Sequence, residues 1–195
     1  MPLIVEDGTG KATADAYVSL AEADAYFLGR NTAWGALAND AKESAIRFAT
    51  SWIDDTYAAL WKGSRANELQ TLAWPRDNSP GRGIMLWRGS YPRVQGYIYD
   101  LDGFPIDPDV VPKAVKRACM EAAILQTQNF DFAAGTSTAS IKSTSQSVDR
   151  VSFSEAYEVA VTQRALQIQA IDRLLIGLVT STPGAGFGTV KLVRA

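Results

Sequence analysis

A helix that begins at a proline in the middle of the chain constrains the fold more than any other feature. Val111 stands before Pro112 and is held extended by it, whereas Pro112 suits the first helical turn, where a missing N–H costs nothing. The apolar residues that follow recur at steps of three and four, the spacing of one helix face. They are Val115, Ala118, Cys119, Ala122 and Leu125. This alanine-rich seam predicts a central helix against which a second helix packs closely, and none of its residues suggests a reaction.

Two further helices are predicted on the N-terminal side of this one. Ser19 and Glu22 form a capping box, in which the hydroxyl accepts a first-turn N–H and the carboxylate reaches back. After a short connection at residues 31–38, Asn39 or Asp40 caps a longer helix. Its apolar residues again step by three and four. They are Ile46, Ala49, Trp52, Ile53, Tyr57 and Leu60.

Two adjacent carboxylates, Asp54 and Asp55, lie on this longer helix. Neighbouring helical residues point about 100° apart, so these two are poorly placed to act on one substrate as an acid–base pair. We therefore expect both aspartates on a solvated face.

Short strands and extended segments complete the predicted secondary structure. Residues 97–106 predict a hairpin that turns at Asp102-Gly103, a dipeptide that accepts positive φ. A second hairpin is predicted with strands near 139–145 and 149–154, and a last helix follows it. The tail at 184–195 either frays, as many termini do, or adds a strand to a partner.

The predicted fold class is mainly α: a small helical bundle with one or two short β-hairpins, an extended N-terminal arm and a C-terminal tail. At 195 residues the chain is expected to form one domain with appendages. We place a single helical domain at 1–180, with a loop insertion at 77–97 and a hairpin at about 139–154, and a C-terminal arm at 181–195.

The composition argues against several classes of function. The chain has no histidine, which removes the commonest general base and metal ligand, so an enzyme is not expected. Four aspartates at 100–109 lack the glycine and glutamate spacing of an EF-hand, so no metal or cofactor is expected. The net charge of −2 argues against tight, sequence-independent DNA binding. No apolar run suits a signal peptide or a membrane span, and we expect synthesis in a reducing cytoplasm.

The stretch Leu72-Ala-Trp-Pro-Arg76 supports two interpretations. Trp74 and Arg76 could form a patch that stacks a nucleic-acid base. We favour the alternative, in which Trp74 is tucked under a turn with Arg76 over its ring. The loop that follows, 77–97, is the most basic part of the chain and carries aromatic residues, which is typical of a contact surface. Its candidate interface residues are Arg82, Trp87, Arg88, Tyr91 and Arg93.

Several motifs together, over roughly residues 1–180, give the chain a family resemblance. They are Tyr17-Val-Ser-Leu-Ala-Glu-Ala-Asp-Ala-Tyr-Phe27, Leu72-Ala-Trp-Pro-Arg76, Asp102-Gly-Phe-Pro-Ile106, Val111-Pro-Lys-Ala-Val-Lys-Arg-Ala118 with Glu121, and Ile141-Lys-Ser143. In this order they resemble the head–tail connector (neck adaptor) proteins of tailed bacteriophages. Many relatives in that group carry the label "DnaT-like ssDNA-binding protein".

The resemblance implies a structural protein of the virion neck, made in the cytoplasm of the bacterial host. It implies a homo-oligomeric ring, a dodecamer, that docks beneath the portal protein, extends the DNA channel and receives the next neck or tail protein. Double-stranded DNA would pass through without sequence-specific binding, and no membrane is involved. The resemblance also implies that the C-terminal tail reaches into the portal. The residues of this portal-binding arm would be Gly186, Phe187, Gly188, Thr189, Val190, Lys191, Leu192, Val193 and Arg194.

The alternative function is binding of single-stranded DNA, as the label states. Trp74, Trp87 and Tyr91 would then stack on bases, while Arg76, Arg88 and Arg93 would contact phosphates. This hypothesis predicts quenching of tryptophan fluorescence by an oligonucleotide, and strong weakening of that quenching by salt.

Overall fold

The computed structural model divides the chain into two compact units, Met1–Phe130 with Leu174–Ala195, and Asp131–Arg173. It describes residues 2–78, 96–132, 138–145, 154–160 and 163–181, with the backbone alone for 138–145, 154–160 and 163–166. Its described part is mainly helical, with short antiparallel strand pairs, which confirms the predicted fold class. No helix of this part is long and apolar enough to cross a membrane.

The helices occur where the apolar periodicity predicts them, with one addition. The predicted connection at 31–38 contains a short helix whose first N–H groups, of Ala33 and Trp34, donate to the Asn31 side chain. The helices are α1 Leu20–Phe27, α2 Thr32–Gly35, α3 Asn39–Tyr57, α4 Lys113–Thr127 and α5 Gln163–Leu175.

The predicted central helix is α4, and it packs on α3 in the core of the first unit. All five residues of its predicted seam are buried. The small side chains allow close contact between the helices: Cys119 Sγ lies 3.3 Å from Thr50 Oγ1 of α3. Burial raises the pKa of the Cys119 thiol to about 12, so this cysteine is an unreactive core residue. Pro112 lies at the N-cap, one position before the helix begins.

The capping predictions had different outcomes at the two helices concerned. At α1, Ser19 and Glu22 form the predicted capping box. At α3 the prediction of a cap at Asn39 or Asp40 is wrong, because the helix begins at Asn39 and the N-cap is Ala38, which has no side-chain hydrogen bond. Asp40 instead lies in the first turn, where its negative charge is favourable near the helix N-terminus.

The described strands form three antiparallel pairs. The hairpin predicted at 97–106 is confirmed, with Gly103 at φ 83° in its turn. The later hairpin is confirmed for its first strand; of the predicted second strand, 149–153 lie outside the described residues, and the strand that is described is Ser154–Ala160. In this hairpin Tyr157 pairs with Ile141 and Val159 pairs with Ala139, two positions apart as in a regular strand. The pairs are β1 Ser64–Arg65 with β2 Arg76–Asp77, β3 Ile98–Tyr99 with β4 Pro105–Ile106, and β5 Thr138–Ser145 with β6 Ser154–Ala160.

The predicted N-terminal arm has no helix, and it turns back on itself and packs closely. Val5 forms a bridge with Ala16, and Ala14, Ala16, Tyr17 and Val18 are buried. The Glu6 carboxylate is also buried, where it accepts the backbone N–H groups of Gly8, Gly10 and Lys11 at 2.8–2.9 Å. These three N–H groups satisfy the oxygens of the buried carboxylate.

Candidate functional site

The Leu72–Arg76 motif covers the C-terminal end of α3, and its tryptophan belongs to the core. The Trp74 side chain is 0% exposed and stacks edge-on against Trp61, with ring centroids 5.7 Å apart. Neither indole N–H finds a hydrogen-bond partner in the described part of the chain. The predicted burial of Trp74 is therefore confirmed, and Trp74 cannot serve as a stacking platform for DNA bases while the domain is folded.

Arg76 fixes the motif to the polypeptide that precedes β1. Its guanidinium donates to the carbonyl oxygens of Lys62 at 2.9 Å, Gly63 at 2.6 Å and Ala73 at 3.2 Å. The predicted position of Arg76 over the Trp74 ring is wrong, because these three carbonyls match the planar fork of donors on the guanidinium. Burial lowers the pKa of Arg76, and a group with three backbone acceptors is poorly available to a phosphate.

A hydrogen-bonded chain joins the same motif to α3. Tyr17 donates its phenolic O–H to Asp54 Oδ1 at 2.5 Å and accepts the N–H of Trp74 at 3.1 Å. Asp54 Oδ2 accepts the N–H of Ala73 at 2.8 Å. Burial raises the pKa of Asp54 to about 6 and that of Tyr17 well above its usual value.

The prediction that both adjacent aspartates lie on a solvated face is wrong for Asp54. Asp55 is exposed, as the helical rotation between neighbours requires, whereas the 72–76 segment covers Asp54. A local signal existed: Asp54 follows the buried Thr50 by four residues and so lies at the edge of the buried face of α3. Nothing in the sequence around Tyr17, apart from its place at the start of a motif, predicted its contact with Asp54.

An open groove of about 440 Å³ lies on the surface beside these hydrogen bonds of Tyr17 and Asp54. Most of its polar groups already serve the fold: Arg65 donates to Gln70 O at 3.0 Å and Thr71 donates to Ala12 O at 2.6 Å. Among the residues that the structure describes, no group of three His, Cys, Asp or Glu side chains is placed to hold a metal ion. The hydrogen bonds of Arg65, Thr71 and Arg76 in this groove therefore hold neighbouring segments of the fold together.

A second feature, which we call the acidic hairpin, consists of residues 97–109 around β3 and β4. It carries four aspartates and neither lysine nor arginine. Two of its large apolar side chains project outward, with Leu101 71% exposed and Phe104 67% exposed, whereas Ile98 is buried. Asp100 Oδ1 accepts the N–H groups of Asp102 and Phe104 at 3.0 and 2.8 Å, which fixes the turn that presents them.

Comparison with known proteins identifies the family. A family model described as "Putative DnaT-like ssDNA binding protein" matches residues 1–86 and 88–195. The chain belongs to this family. No curated protein and no solved structure matches the chain.

The match spans both the buried motif and the acidic hairpin, so both features lie within the family domain. The other residues predicted to be functional lie outside the described part of the chain. They are the candidate interface residues Arg82, Trp87, Arg88, Tyr91 and Arg93, and the portal-binding arm Gly186–Arg194.

Proposed function

We propose that the protein is a structural head-to-tail adaptor of a tailed bacteriophage. It forms a ring, a dodecamer by the resemblance of its motifs, that docks under the portal protein and extends the DNA channel. The ring receives the next neck or tail component, and double-stranded DNA passes through it. The proposal places the protein in the virion and gives it no catalytic role.

The observation that carries this proposal is the character of the exposed apolar surface. Leu101 and Phe104 project from a segment with four carboxylates and no cation. Exposed apolar groups of this size favour a protein partner, and the surrounding negative charge opposes approach of phosphates. An adaptor needs large contacts with neighbouring proteins and a weak attraction for the DNA that slides past it.

Single-strand binding is the second candidate, and the description of the family favours it. Such a protein needs exposed aromatic rings next to free cations. The two residues of the buried motif do not meet this need, because Trp74 is buried and Arg76 is bound to three carbonyls. The stacking role then falls to Trp87 and Tyr91, with Arg88 and Arg93 as the cations.

Co-sedimentation with purified portal rings from the same source tests the adaptor. Full-length protein is compared with a version that ends at Pro183. Binding by the full-length chain alone supports the adaptor with its tail as the anchor, and binding by both moves the anchor to the 77–97 loop. Binding by neither overturns the proposal.

An oligonucleotide titration at low salt tests the second candidate in the same preparation. Single-strand binding predicts quenching of tryptophan fluorescence that disappears in Trp87→Phe and weakens steeply with salt. If the protein is an adaptor, we expect no quenching in the wild-type chain or in Trp87→Phe. Trp52→Phe, which changes a tryptophan of α3, is the matched control for the loss of one fluorophore.

A further inference from the structure

Local hydrogen bonds fix the conformation of the turn in the acidic hairpin. Gly103 adopts φ 83°, and the Asp100 carboxylate accepts the backbone N–H groups of Asp102 and Phe104. Leu101 lies over Gly177, where an added Cβ would come within 3.1 Å of Leu101 Cγ. The neighbouring Ile176 is exposed and extends the apolar surface. A turn fixed in this way presents Leu101 and Phe104 without a large loss of conformational entropy on binding.

The charge of this surface is not neutralised within the part of the chain that the structure describes. Asp100 and Asp107 accept backbone N–H groups, but none of the four aspartates forms an ion pair with a described lysine or arginine. Asp102 is exposed, and its carboxylate accepts no hydrogen bond from the described residues. The surface thus combines an apolar centre with negative charge that no described lysine or arginine pairs, and its complement is apolar and basic.

One segment of the chain has this complementary composition. Residues 79–95 contain three arginines and no acidic residue. Around the arginines stand an apolar run at 84–87 and Tyr91. The acidic hairpin, at 97–109, has four negative charges and no positive one. The two stretches therefore differ in the sign of their charge and share large apolar side chains.

We infer that the acidic hairpin is the docking surface for the 79–95 segment of a second copy of this chain. Two different, complementary surfaces on one chain make a head-to-tail contact, and repetition of that contact generates a ring when the rotation closes. The inference deepens the proposed function, and it rests on that function only for the closure of the ring.

Disulfide trapping between two variants, each with one added cysteine, tests the contact. Asp102→Cys and Arg88→Cys proteins are mixed in equal amounts and oxidised gently. Asp102 is chosen because it accepts no hydrogen bond from the described residues, and the native Cys119 is buried and does not interfere. The matched control pairs Arg88→Cys with Leu69→Cys, another exposed position, 72% open to solvent.

The expected result is a mixed dimer at least about five-fold more abundant than in the control, and reduced toward the control at about 0.5 M salt, where charge attraction is screened. A yield equal to that of the control overturns the docking. A chain that carries both added cysteines shows whether the segment binds the hairpin of its own copy or of another copy. If it forms only an internal disulfide, the segment binds its own hairpin, and the contact between copies is overturned.

The outcome is separable from that of the portal experiment. A trapped mixed dimer without portal binding overturns the adaptor role but leaves the contact between copies. Portal binding without a trapped dimer overturns only the inferred contact. A charge exchange, Asp102→Arg together with Arg88→Asp in one chain, is expected to restore association that each single reversal weakens.

Discussion

The phenol of Tyr17 donates a 2.5 Å hydrogen bond to Oδ1 of Asp54 and so joins the residues before α1 to the C-terminal part of α3. The same oxygen of Tyr17 accepts the N–H of Trp74, which brings the Leu72–Arg76 motif into the contact. Three segments that are distant in sequence thus meet at one buried hydroxyl. The phenol of Tyr17, the carboxylate of Asp54 and the backbone N–H of Trp74 each have a partner in this contact, which is why these polar groups are tolerated beside the core.

Tyr17→Phe is expected to destabilise the domain by about 2–3 kcal/mol, because it leaves a desolvated carboxylate and a buried N–H with one partner fewer. Urea unfolding at neutral pH measures the loss. Tyr26→Phe is the control, since Tyr26 donates to Glu121 at the same 2.5 Å distance but is only partly buried. We expect less than about 1 kcal/mol there, and equal losses would contradict the importance of burial.

The stability contribution of Asp54 is expected to fall as pH rises. Burial raises its pKa from 3.8 to about 6, so between these values the folded chain holds a proton that the unfolded chain has released. The contribution is therefore complete below about pH 4 and is lost as pH rises through about 6. Asp54→Asn has no such titration, and we expect the stability of wild type relative to this variant to decrease by on the order of 2–3 kcal/mol between pH 4 and pH 7.

Urea unfolding of both proteins at several pH values measures this difference. Other carboxyls act in the opposite direction; the pKa of Asp24, for example, is lowered by its hydrogen bond from Lys42. Because they are present in both proteins, their effects cancel in the comparison. A constant difference across the range would show that Asp54 titrates normally.

Arg76→Lys is expected to cost about 1–2 kcal/mol, because one ammonium cannot reach three carbonyls in the plane that the guanidinium occupies. Unfolding by urea checks the stability. The exposed Arg30 provides the control, since its guanidinium lies over the Tyr26 ring at 4.3 Å and Arg30→Lys keeps a cation there. A loss of DNA binding by Arg76→Lys at unchanged stability would instead indicate a role for Arg76 at phosphates.

Gly8→Ala is expected to prevent normal packing of the N-terminal segment. Gly8 has φ +105°, and an added Cβ would lie 1.8 Å from the carbonyl oxygen of Asp109. Gly29→Ala is the matched control, because Gly29 has φ +74° and no described atom lies within 4 Å of its added Cβ. We expect about 1–2 kcal/mol at Gly29 from the backbone conformation alone, and a much larger loss in thermal unfolding at Gly8.

The features that sequence reasoning predicted are those with local causes. The seam of α4, the capping box at Ser19 and the turn at Gly103 each depend on residues within a few positions of one another. Helical periodicity places Asp54 only at the edge of the buried face of α3, and its burial is completed by a segment about twenty positions away. The N-cap of α3 depends on the extended conformation of Ala38, a residue with no capping side chain.

The family and the burial of Trp74 could be anticipated from the sequence, but the role of Arg76 could not. The sequence placed Arg76 over the Trp74 ring, whereas in the structure its guanidinium donates to backbone carbonyls. A sequence shows which groups are present, whereas only the fold shows which of them are already occupied.

The N–H of Asn78 donates to the carbonyl of Gly96 at 3.0 Å, so the chain closes on itself across the whole 79–95 stretch. The cost of closing such a stretch grows only slowly with its length, by roughly 0.6 kcal/mol for each doubling. Insertions and deletions between these two anchor points should therefore leave the helices undisturbed. Relatives are then free to diverge at this position in length and chemistry while they keep the same domain, which would allow each to match its own neighbours during evolution.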